Sequence, residues 1–375
     1  MSNGPARVMF LYWGRRGALS AFTLEAGRAA LGNAAMAACF SISRQNERFS
    51  DFRELGNALL PVDTFASAVG AFSQAWRIPL LRRFLARRLR ERRIQAVIEL
   101  MPHIWSPLIA PIFRPAGARY VTVVHDAIAH PGDPTASVKP FIDRALPLAD
   151  KVFTLSHSVA RQLAQSGKVP ASKLAVLFHP DLHFGAVRGH LPPAANGPFR
   201  LLFFGRILDY KGLSRFLDAV ELLRRNGHRV EFGVYGEGNP GSSRARLEAM
   251  DGTVVNRWIR TEEVAPVFAR YHAIVASHTE ASQSGVVAAA LGAGLPVVAT
   301  PVGGLAEQVA DGVTGTVAAS SAAADIAAAI LRLMLNPQLY AAVCHNIALS
   351  SPARSMRRFI EMSVASALDG PQPEP

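Results

Sequence analysis

The chain has 375 residues, half of them hydrophobic and 18% charged, so it is long enough for two domains and too apolar for a disordered protein. Its two cysteines, Cys39 and Cys344, lie far apart, which excludes a disulfide scaffold and favours a reducing compartment. The net charge of +12 lies in residues 1–190, which carry 24 Lys and Arg against 12 Asp and Glu, and this indicates an anionic partner such as nucleic acid, membrane or a phosphorylated substrate.

Short apolar runs alternate with helix-like segments along the chain, which predicts parallel sheets covered by helices on both faces. The predicted strands are 7–13, 119–124, 151–156, 200–205, 230–236, 273–277 and 296–300. A helix is predicted over 212–227, which ends in glycine. The uncharged stretch 281–306 is interrupted by glycines and prolines, so it predicts a buried helix and strand and not a membrane span.

The segment 188–198 is rich in Pro, Gly and Ala and is predicted to be a linker. It separates two doubly wound, Rossmann-like α/β domains, 1–187 and 199–351. Residues 352–368 are expected to form a helix that packs back on the first domain. Ligands of such sheets bind at the carboxyl ends of strands, so we expect the two domains to face a central cleft.

Residues 77–93 contain eight arginines and are predicted to form an amphipathic helix. Its expected apolar face consists of Leu80, Leu81, Phe84, Leu85 and Leu89. This pattern fits an ordinary surface helix, and the arginine density also fits docking to anionic lipid. Both interpretations stay open. The candidate acceptor or membrane residues here and in the first glycine loop are Arg15, Arg16, Arg87, Arg88, Arg92 and Arg93.

In FFGRILDYKGL (203–213), a strand ends at Gly205 and two cations, Arg206 and Lys211, follow just before a helix. Backbone N–H groups, the helix dipole and side-chain charge add at such a place, which favours a diphosphate site. The alternative is a pair of solvated loop charges, but the position after a strand favours a function.

Two glycine loops follow other strands: YWGRRGALS (12–20), with Gly14 and Gly17, and GVYGEGNPG (233–241), with Gly236 and Glu237. Each is a weak signal, because glycine turns after strands are common. His125 and Asp126 also follow a strand directly, which makes them better functional candidates than an isolated histidine. No Asp-x-Asp motif occurs, and no metal site is predicted.

The ordered set FGRILDYKG, YGEG and SHTEASQSGVVAAALGAGLPVVATPVGGLAEQVADGVTG resembles family 4 of the retaining glycosyltransferases, which have the two-domain GT-B fold. The resemblance is strong in the C-terminal half. It extends to the first half through the glycine loop, the His-Asp pair, LSHSVARQL (155–163) and FHPD (178–181). It implies sugar transfer from a nucleotide diphosphate sugar with retained configuration, without a cofactor or an essential metal. Residues 1–187 would bind the acceptor, and residues 199–351 the donor.

The resemblance also implies residue roles. Arg206 and Lys211 neutralise the diphosphate leaving group, Glu280 accepts hydrogen bonds from sugar hydroxyls without acting as a covalent nucleophile, and His125 contacts the donor sugar. The implied donor-binding residues lie in the first-domain loop, beside the base and at a helix N-terminus: Gly14, Gly17, Gly205, Gly236, Glu237, Ser284, Gly285 and Val286.

One departure from the family pattern concerns the second carboxylate of Glu-x7-Glu, which holds the ribose hydroxyls. Eight residues after Glu280 this chain has Ala288. The EASQSG run resembles a branch of the family that also lacks this second Glu, so we expect activity to be retained.

The leading interpretation is therefore a retaining glycosyltransferase of surface polysaccharide or cell-envelope biosynthesis. Its partners would be a nucleotide sugar, a glycan or lipid-linked acceptor and an anionic membrane, at the inner face of the cytoplasmic membrane. The alternatives are a catalytically silent GT-B binding module or another GT-B enzyme such as an epimerase. Nucleic acid is not expected, because no basic motif interleaved with aromatic residues is present.

Overall fold

The computed structural model describes residues 4–129, 136–185 and 197–370. These residues form two compact units, each with its own parallel sheet. Unit 1 contains the described residues up to Phe178 together with 356–370, and unit 2 contains 179–185 and 197–355.

Unit 1 is built on seven strands: β1 (Ala6–Tyr12), β2 (Met36–Ser43), β3 (Leu59–Val62), β4 (Ala96–Glu99), β5 (Arg119–Val124), β6 (Lys151–Thr154) and β7 (Leu174–Val176). Its helices before β7 are α1 (Ala18–Leu31), α2 (Phe49–Phe52), α3 (Ala68–Ser73), α4 (Ile78–Glu91), α5 (Ser106–Ile109), α6 (Lys139–Ile142) and α7 (His157–Gln165). The strand order is β3-β2-β1-β4-β5-β6-β7, and all neighbours are parallel. The central strands β4 and β5 are buried throughout, as expected of a sheet covered on both faces.

Unit 2 is built on six strands: β8 (Phe199–Phe204), β9 (Val230–Tyr235), β10 (Thr253–Val255), β11 (Ala273–Ala276), β12 (Val297–Ala299) and β13 (Gly315–Val317). Its helices are α8 (Leu213–Arg225), α9 (Arg244–Ala249), α10 (Thr261–Phe268), α11 (Gly285–Gly292), α12 (Leu305–Gln308), α13 (Ala323–Met334) and α14 (Pro337–Ser350). The parallel strands run in the order β10-β9-β8-β11-β12-β13.

The last helix of the chain, α15 (Met356–Leu368), belongs to unit 1. The Phe359 ring packs edge-to-face on Phe22 of α1, with 5.3 Å between ring centroids. At the far end of α15, Lys151 Nζ donates to Ser366 O at 2.7 Å. Both contacts fix α15 against elements that are distant in sequence.

All seven strands predicted from the sequence are confirmed to within two residues at each end, and so are the helix at 212–227 and the buried helix and strand within 281–306. The strands without a prediction are β2, β3, β4, β7, β10 and β13. They are either short, such as the three-residue β10, or mixed in polarity, such as β2. Such segments lack the apolar run by which a buried strand is recognised.

The boundary between the units lies after Phe178, earlier than the predicted domain end at 187. The reason is local packing: Leu182 N donates to Ala288 O at 3.1 Å, and Arg354 Nε donates to Asp181 Oδ1 at 2.9 Å. Residues 179–185 are therefore held within unit 2. Most of the predicted linker, 188–196, lies outside the described residues.

The apolar face predicted for 77–93 needs one correction. In α4, Leu81, Leu85 and Leu89 are buried in the core of unit 1, and Phe84 is half-buried. Leu80 is 56% exposed, so the prediction was wrong for this residue. It precedes Leu81 by one position, and one residue rotates a helix by about 100°.

Within the described ranges, no single helix combines the length and the apolar composition needed to cross a bilayer. By length and composition alone, α13 and the stretch Pro337–Leu368 pass that test only as one sharply bent pair.

Candidate functional site

In both sheets the strand order reverses beside the first strand, between β1 and β4 in unit 1 and between β8 and β11 in unit 2. Ligands of doubly wound sheets bind beyond the carboxyl ends of the strands at such a point. The loops that follow these strands carry the residues singled out from the sequence.

In unit 2, hydrogen bonds from the β11 loop (277–284) fix main-chain oxygens of the β8 loop (205–212). Thr279 N donates to Tyr210 O at 2.8 Å, and Ser277 Oγ donates to Gly212 O at 2.9 Å. Gly212 has a φ of 71°, and a Cβ added there would lie 1.9 Å from Ser277 O. Only glycine allows this left-handed turn to approach the neighbouring loop so closely.

The side chain of Lys211 is directed by the same two loops. Its Nζ lies 2.8 Å from His278 Nε2 and 5.0 Å from the centroid of the Tyr210 ring. An ammonium group has no acceptor, so Lys211 donates and the neutral His278 ring carries its proton on Nδ1. A buried histidine that accepts a hydrogen bond thus positions the cation at the carboxyl edge of the sheet.

The β9 loop (236–241) lies against the β8 loop. A Cβ on Gly236 would meet Gly205 O at 1.8 Å, and Ile207 N donates to Glu237 O at 2.9 Å. Gly205 also borders Val286 at the start of α11, where an added Cβ would lie 2.9 Å from Val286 Cγ2. Three loop ends therefore meet at one edge of the sheet.

The N-terminus of α11 differs from the prediction at one position. Ser284 is the N-cap, but its amide donates to Gln308 Oε1 at 2.6 Å, and Gln308 Nε2 donates back to Ser284 O at 3.2 Å. The Ser284 amide is therefore committed to the protein and not to a phosphate. The amides of Gly285 and Val286, in the first turn, are the ones that an α-helix leaves without an intrahelical acceptor.

Ala288 stands where the family pattern has its second carboxylate, and it is 1% exposed on α11. Close by on this helix, a Cβ on Gly292 would lie 2.2 Å from Leu182 O. Small residues let the 181–183 segment pack directly on α11. A carboxylate at Ala288 would be buried, at a substantial desolvation cost.

The remaining charged candidates of unit 2 lie on its surface. Arg206, Glu237 and Glu280 are exposed, in the β8, β9 and β11 loops respectively. Gln283, which the sequence reading missed, has a buried Oε1 without a hydrogen-bond partner among the described residues. This oxygen can accept a hydrogen bond from a ligand hydroxyl or amine.

In unit 1, side chains just beyond β2 hold the glycine loop after β1. Asn46 Nδ2 donates to Gly14 O at 2.6 Å and to Ser20 Oγ at 3.0 Å, while the Gly17 amide donates to Glu47 Oε1 at 2.9 Å. The loop is thus built for a defined conformation, but the Gly17 amide is already engaged by a carboxylate. A phosphate would have to displace Glu47 to reach it.

His125, after β5, lies against the loop that follows β4. Its Nε2 is 2.8 Å from Leu100 O, so Nε2 donates and Nδ1 is left as the acceptor of the neutral ring. Burial lowers the pKa of His125, and the backbone contact to Leu100 and the charge of Asp126 only partly oppose this. At neutral pH His125 is therefore an uncharged group that can accept a hydrogen bond from a sugar hydroxyl.

Glu99, at the carboxyl end of β4, was not identified from the sequence. It accepts hydrogen bonds from Ser106 Oγ, Tyr120 Oη and Thr122 Oγ1. Burial raises the pKa of Glu99 to about 7, despite these donors. Nearby, the buried His103 packs between the rings of Trp13, Phe65 and Trp105, and burial lowers the pKa of His103 to about 3.

The predicted acceptor or membrane arginines are only partly directed towards solvent. Arg87 and Arg88 form ion pairs with Glu91, and Arg92 donates to Asn57 O at 3.1 Å. In the first glycine loop, Arg15 donates to Ala66 O and lies over the Phe65 ring. Arg16 and Arg93 are exposed.

Across the part of the chain that the structure describes, no group of three or more His, Cys, Asp or Glu side chains could hold a metal ion.

Two glycosyltransferase families match the chain, one in each unit. Residues 22–178 match the family described as "Glycosyl transferase 4-like domain", and residues 198–336 match "Glycosyl transferases group 1". The chain belongs to the glycosyltransferases. Its two parallel sheets are those of the GT-B fold, so the predicted fold class is confirmed.

Among curated relatives, the glycogen synthase of Mycobacterium tuberculosis is 31% identical over 148 residues, 38% of this chain. The chain spans about a third of that relative's length, 35%. Among solved structures, Anabaena Alr3699/HepE in complex with UDP and glucose superposes with a TM-score of 0.70 at 15% identity, over 97% of this chain and 99% of that chain. Sucrose-phosphate synthase from Thermosynechococcus elongatus gives a TM-score of 0.70 at 15% identity, over 96% of this chain and 98% of that chain. At these identities the two structures show the fold alone.

Proposed function

We propose that this glycosyltransferase moves a sugar from a nucleotide diphosphate sugar to a glycan or lipid-linked acceptor, with retention of the anomeric configuration. The process it would serve is the synthesis of a surface polysaccharide or another cell-envelope glycan. We also propose that the chain belongs to the EASQSG branch of family 4. In that branch the ribose would be held without a carboxylate at the position of Ala288.

The observation that carries the proposal is the junction of the β8 and β11 loops with the start of α11. Lys211 is held by His278, Arg206 lies in the same loop, and Gly205 borders the α11 turn that begins with Gly285 and Val286. Cations and helix N–H groups together stabilise a diphosphate as negative charge develops on it. We propose that they do so without a metal ion.

The donor sugar would lie next to the exposed Glu280, whose carboxylate can accept hydrogen bonds from sugar hydroxyls. His125 would supply a further acceptor through Nδ1. The acceptor hydroxyl would attack from the face that the diphosphate leaves, so no covalent sugar–enzyme bond is required. HepE, which binds UDP and glucose, makes a uridine nucleotide the first donor to test.

We further propose that the basic N-terminal half binds the acceptor at the inner face of the cytoplasmic membrane. The whole net charge of +12 lies in residues 1–190. A lipid diphosphate carrier or an anionic bilayer would provide the opposite charge.

The direct test is a thermal-shift screen against UDP-, GDP- and ADP-sugars, followed by NMR of the product formed with a lipid-linked acceptor. A ligand that binds only the folded chain at 100 times its Kd stabilises it by about 2.7 kcal/mol. We expect one nucleotide series to raise the melting temperature, and the product to keep the donor's anomeric configuration. Turnover should persist in EDTA. An inverted product would overturn the retaining mechanism, and loss of turnover in EDTA would overturn the metal-independent one.

The buried Ala288 favours one alternative, a catalytically silent sugar-nucleotide-binding module. The same screen separates the two, because a silent module would be stabilised by a nucleotide sugar and would form no product. An epimerase would convert the donor sugar itself in the absence of any acceptor.

A further inference from the structure

Four large apolar side chains lie exposed on the helical segment that runs from α3 through the 3-10 turn Ala75–Arg77 into α4. Val69, Phe72, Trp76 and Leu80 are 76%, 72%, 65% and 56% exposed, respectively. They follow one another at intervals of three, four and four residues, a helical spacing, along a segment in which Gln74 separates α3 from the 3-10 turn. We call these four residues the apolar stripe.

The apolar stripe is additional to the face that this segment packs on the core. Ala71, Ile78, Leu81, Leu85 and Leu89 are buried and provide that face. The segment therefore has two apolar faces, and only one is needed for folding. A soluble surface rarely leaves neighbouring Phe, Trp and Leu side chains in water unless the patch has a partner.

Arginines continue the line of the apolar stripe. The same intervals lead from Leu80 to Arg83 and then to Arg87, both exposed, and the Arg77 guanidinium lies 5.4 Å from the centre of the Trp76 ring. Between Asp63 and Glu91 the sequence has six arginines and no acidic residue. One end of the face is thus apolar and aromatic, and the other is cationic.

We propose that the apolar stripe inserts into the interfacial region of an anionic lipid bilayer, with the following arginines bound to lipid phosphates. Aromatic rings are favoured at this depth, where apolar area is buried beside charged headgroups. Arginines near anionic lipid add further attraction. This inference deepens the membrane part of the proposed function and rests on that part. It does not depend on which sugar is transferred.

The charge pattern favours a bilayer over a second copy of this chain. Two copies docked through this face would bring arginines against arginines, and Glu91, the one acidic residue of the segment, already pairs with Arg87 and Arg88. A lipid surface with phosphatidylglycerol provides dense negative charge and an apolar layer directly beneath it.

The test is cosedimentation of the full chain with phosphatidylglycerol/phosphatidylcholine vesicles. The triple variant Phe72→Gln, Trp76→Gln, Leu80→Gln should lower the partition coefficient by about tenfold or more, because its apolar area no longer enters the bilayer. The matched control is Leu335→Gln, Leu349→Gln, which removes two comparably exposed leucines from unit 2 and should bind as wild type.

Trp76 provides a direct signal of insertion. Trp13 and Trp105 are buried, so Trp258→Phe leaves Trp76 as the exposed tryptophan of the chain. On anionic vesicles its emission should shift to shorter wavelength and be quenched by lipids brominated on their acyl chains. At high salt, which screens the arginines, bound protein should keep this quenching.

Three outcomes would overturn the inference: wild-type protein that does not bind anionic vesicles, a triple variant that binds like wild type, or binding without quenching of Trp76. A triple variant that only loses self-association in the absence of lipid would assign the face to a second copy. Sugar transfer to a soluble acceptor is measured separately. If the wild-type protein transferred no sugar, that result would contradict the proposed function and not the insertion of the apolar stripe into lipid.

Discussion

The loops after β8 and after β1 hold corresponding places in the two sheets, but they are fixed in different ways. In unit 2 the β8 loop is joined to the β9 loop by main-chain hydrogen bonds and to the β11 loop by a main-chain amide and two hydroxyl groups that donate to its main-chain oxygens, and glycines permit the close approach. In unit 1 the β1 loop is held mainly by two side chains from beyond β2, those of Asn46 and Glu47.

The conformations of the two loops therefore depend on different kinds of residue. A main-chain junction that depends on glycines tolerates little change at those glycines, whereas a junction made by side chains can vary if a partner atom is replaced. Unit 2 also has cations at the edge of its sheet, whereas unit 1 combines the buried Glu99 and His103 there with the exposed Arg15 and Arg16 of its β1 loop. Four changes test this contrast, from the largest expected effect to the smallest.

Lys211→Ala removes a cation at the carboxyl edge of the unit 2 sheet and should have the largest effect. Removal of a charge that stabilises the leaving group should lower kcat about 100- to 1,000-fold. The melting temperature should change little, because the half-buried Lys211 side chain lies at a loop. Steady-state kinetics with the donor identified by the thermal-shift screen would measure this.

Arg225→Ala is the control for that change. It removes a cation from the same unit at the exposed C-terminal end of α8 and should leave kcat unchanged. If Lys211→Ala also kept near-normal turnover, the leaving-group role of Lys211 would be wrong.

Gly212→Ala tests the main-chain junction. The added Cβ meets Ser277 O at 1.9 Å and requires a φ of 71°, so the loops must separate. We expect a loss of about 3 kcal/mol or more in the free energy of unfolding, measured by urea denaturation. The matched control is Gly227→Ala, where φ is 80° but nothing lies within 4 Å. It should cost about 1 kcal/mol, the backbone strain alone. Equal losses of unfolding free energy at both positions would show that the close approach at Gly212 does not contribute to stability.

The same contrast explains what the sequence could reveal. Unit 2 was recognisable because its junction is encoded locally, in glycines and cations such as Gly205, Arg206 and Lys211 at fixed positions after strands. The support of the β1 loop by Asn46 could not be predicted, because it joins residues 32 apart in sequence through one amide. The hydrogen bond of the Ser284 amide could not be predicted either. The N-cap pattern is local, whereas Gln308, which accepts this hydrogen bond, is 24 residues away in sequence.

The pH dependence of the free energy of unfolding tests the buried carboxyl group of Glu99 in unit 1. The pKa of Glu99 is raised from 4.5 to about 7 in the folded chain, so folding strengthens its proton binding. The resulting stability is fully present below about pH 4.5 and is lost as the pH rises through about 7. The free energy of unfolding of wild type, relative to Glu99→Gln, should therefore fall by about 3 kcal/mol between pH 4.5 and 7.5. Glu248→Gln, at an exposed position on α9, should keep the wild-type pH profile. A constant difference between wild type and Glu99→Gln would refute a raised pKa.

Asn46→Ala should have the smallest effect on stability and is the sharpest test of the β1 loop. The change leaves Gly14 O and Ser20 Oγ without the Asn46 donor, which should cost about 1–2 kcal/mol in unfolding free energy. If the loop serves binding, KM for donor or acceptor should rise while kcat changes less, because Asn46 positions the loop and does not itself react. Asn57→Ala, at an exposed position of the same unit, should change neither quantity. A loss of stability with unchanged KM for both substrates would mean that the β1 loop serves the fold of unit 1 and not its ligand.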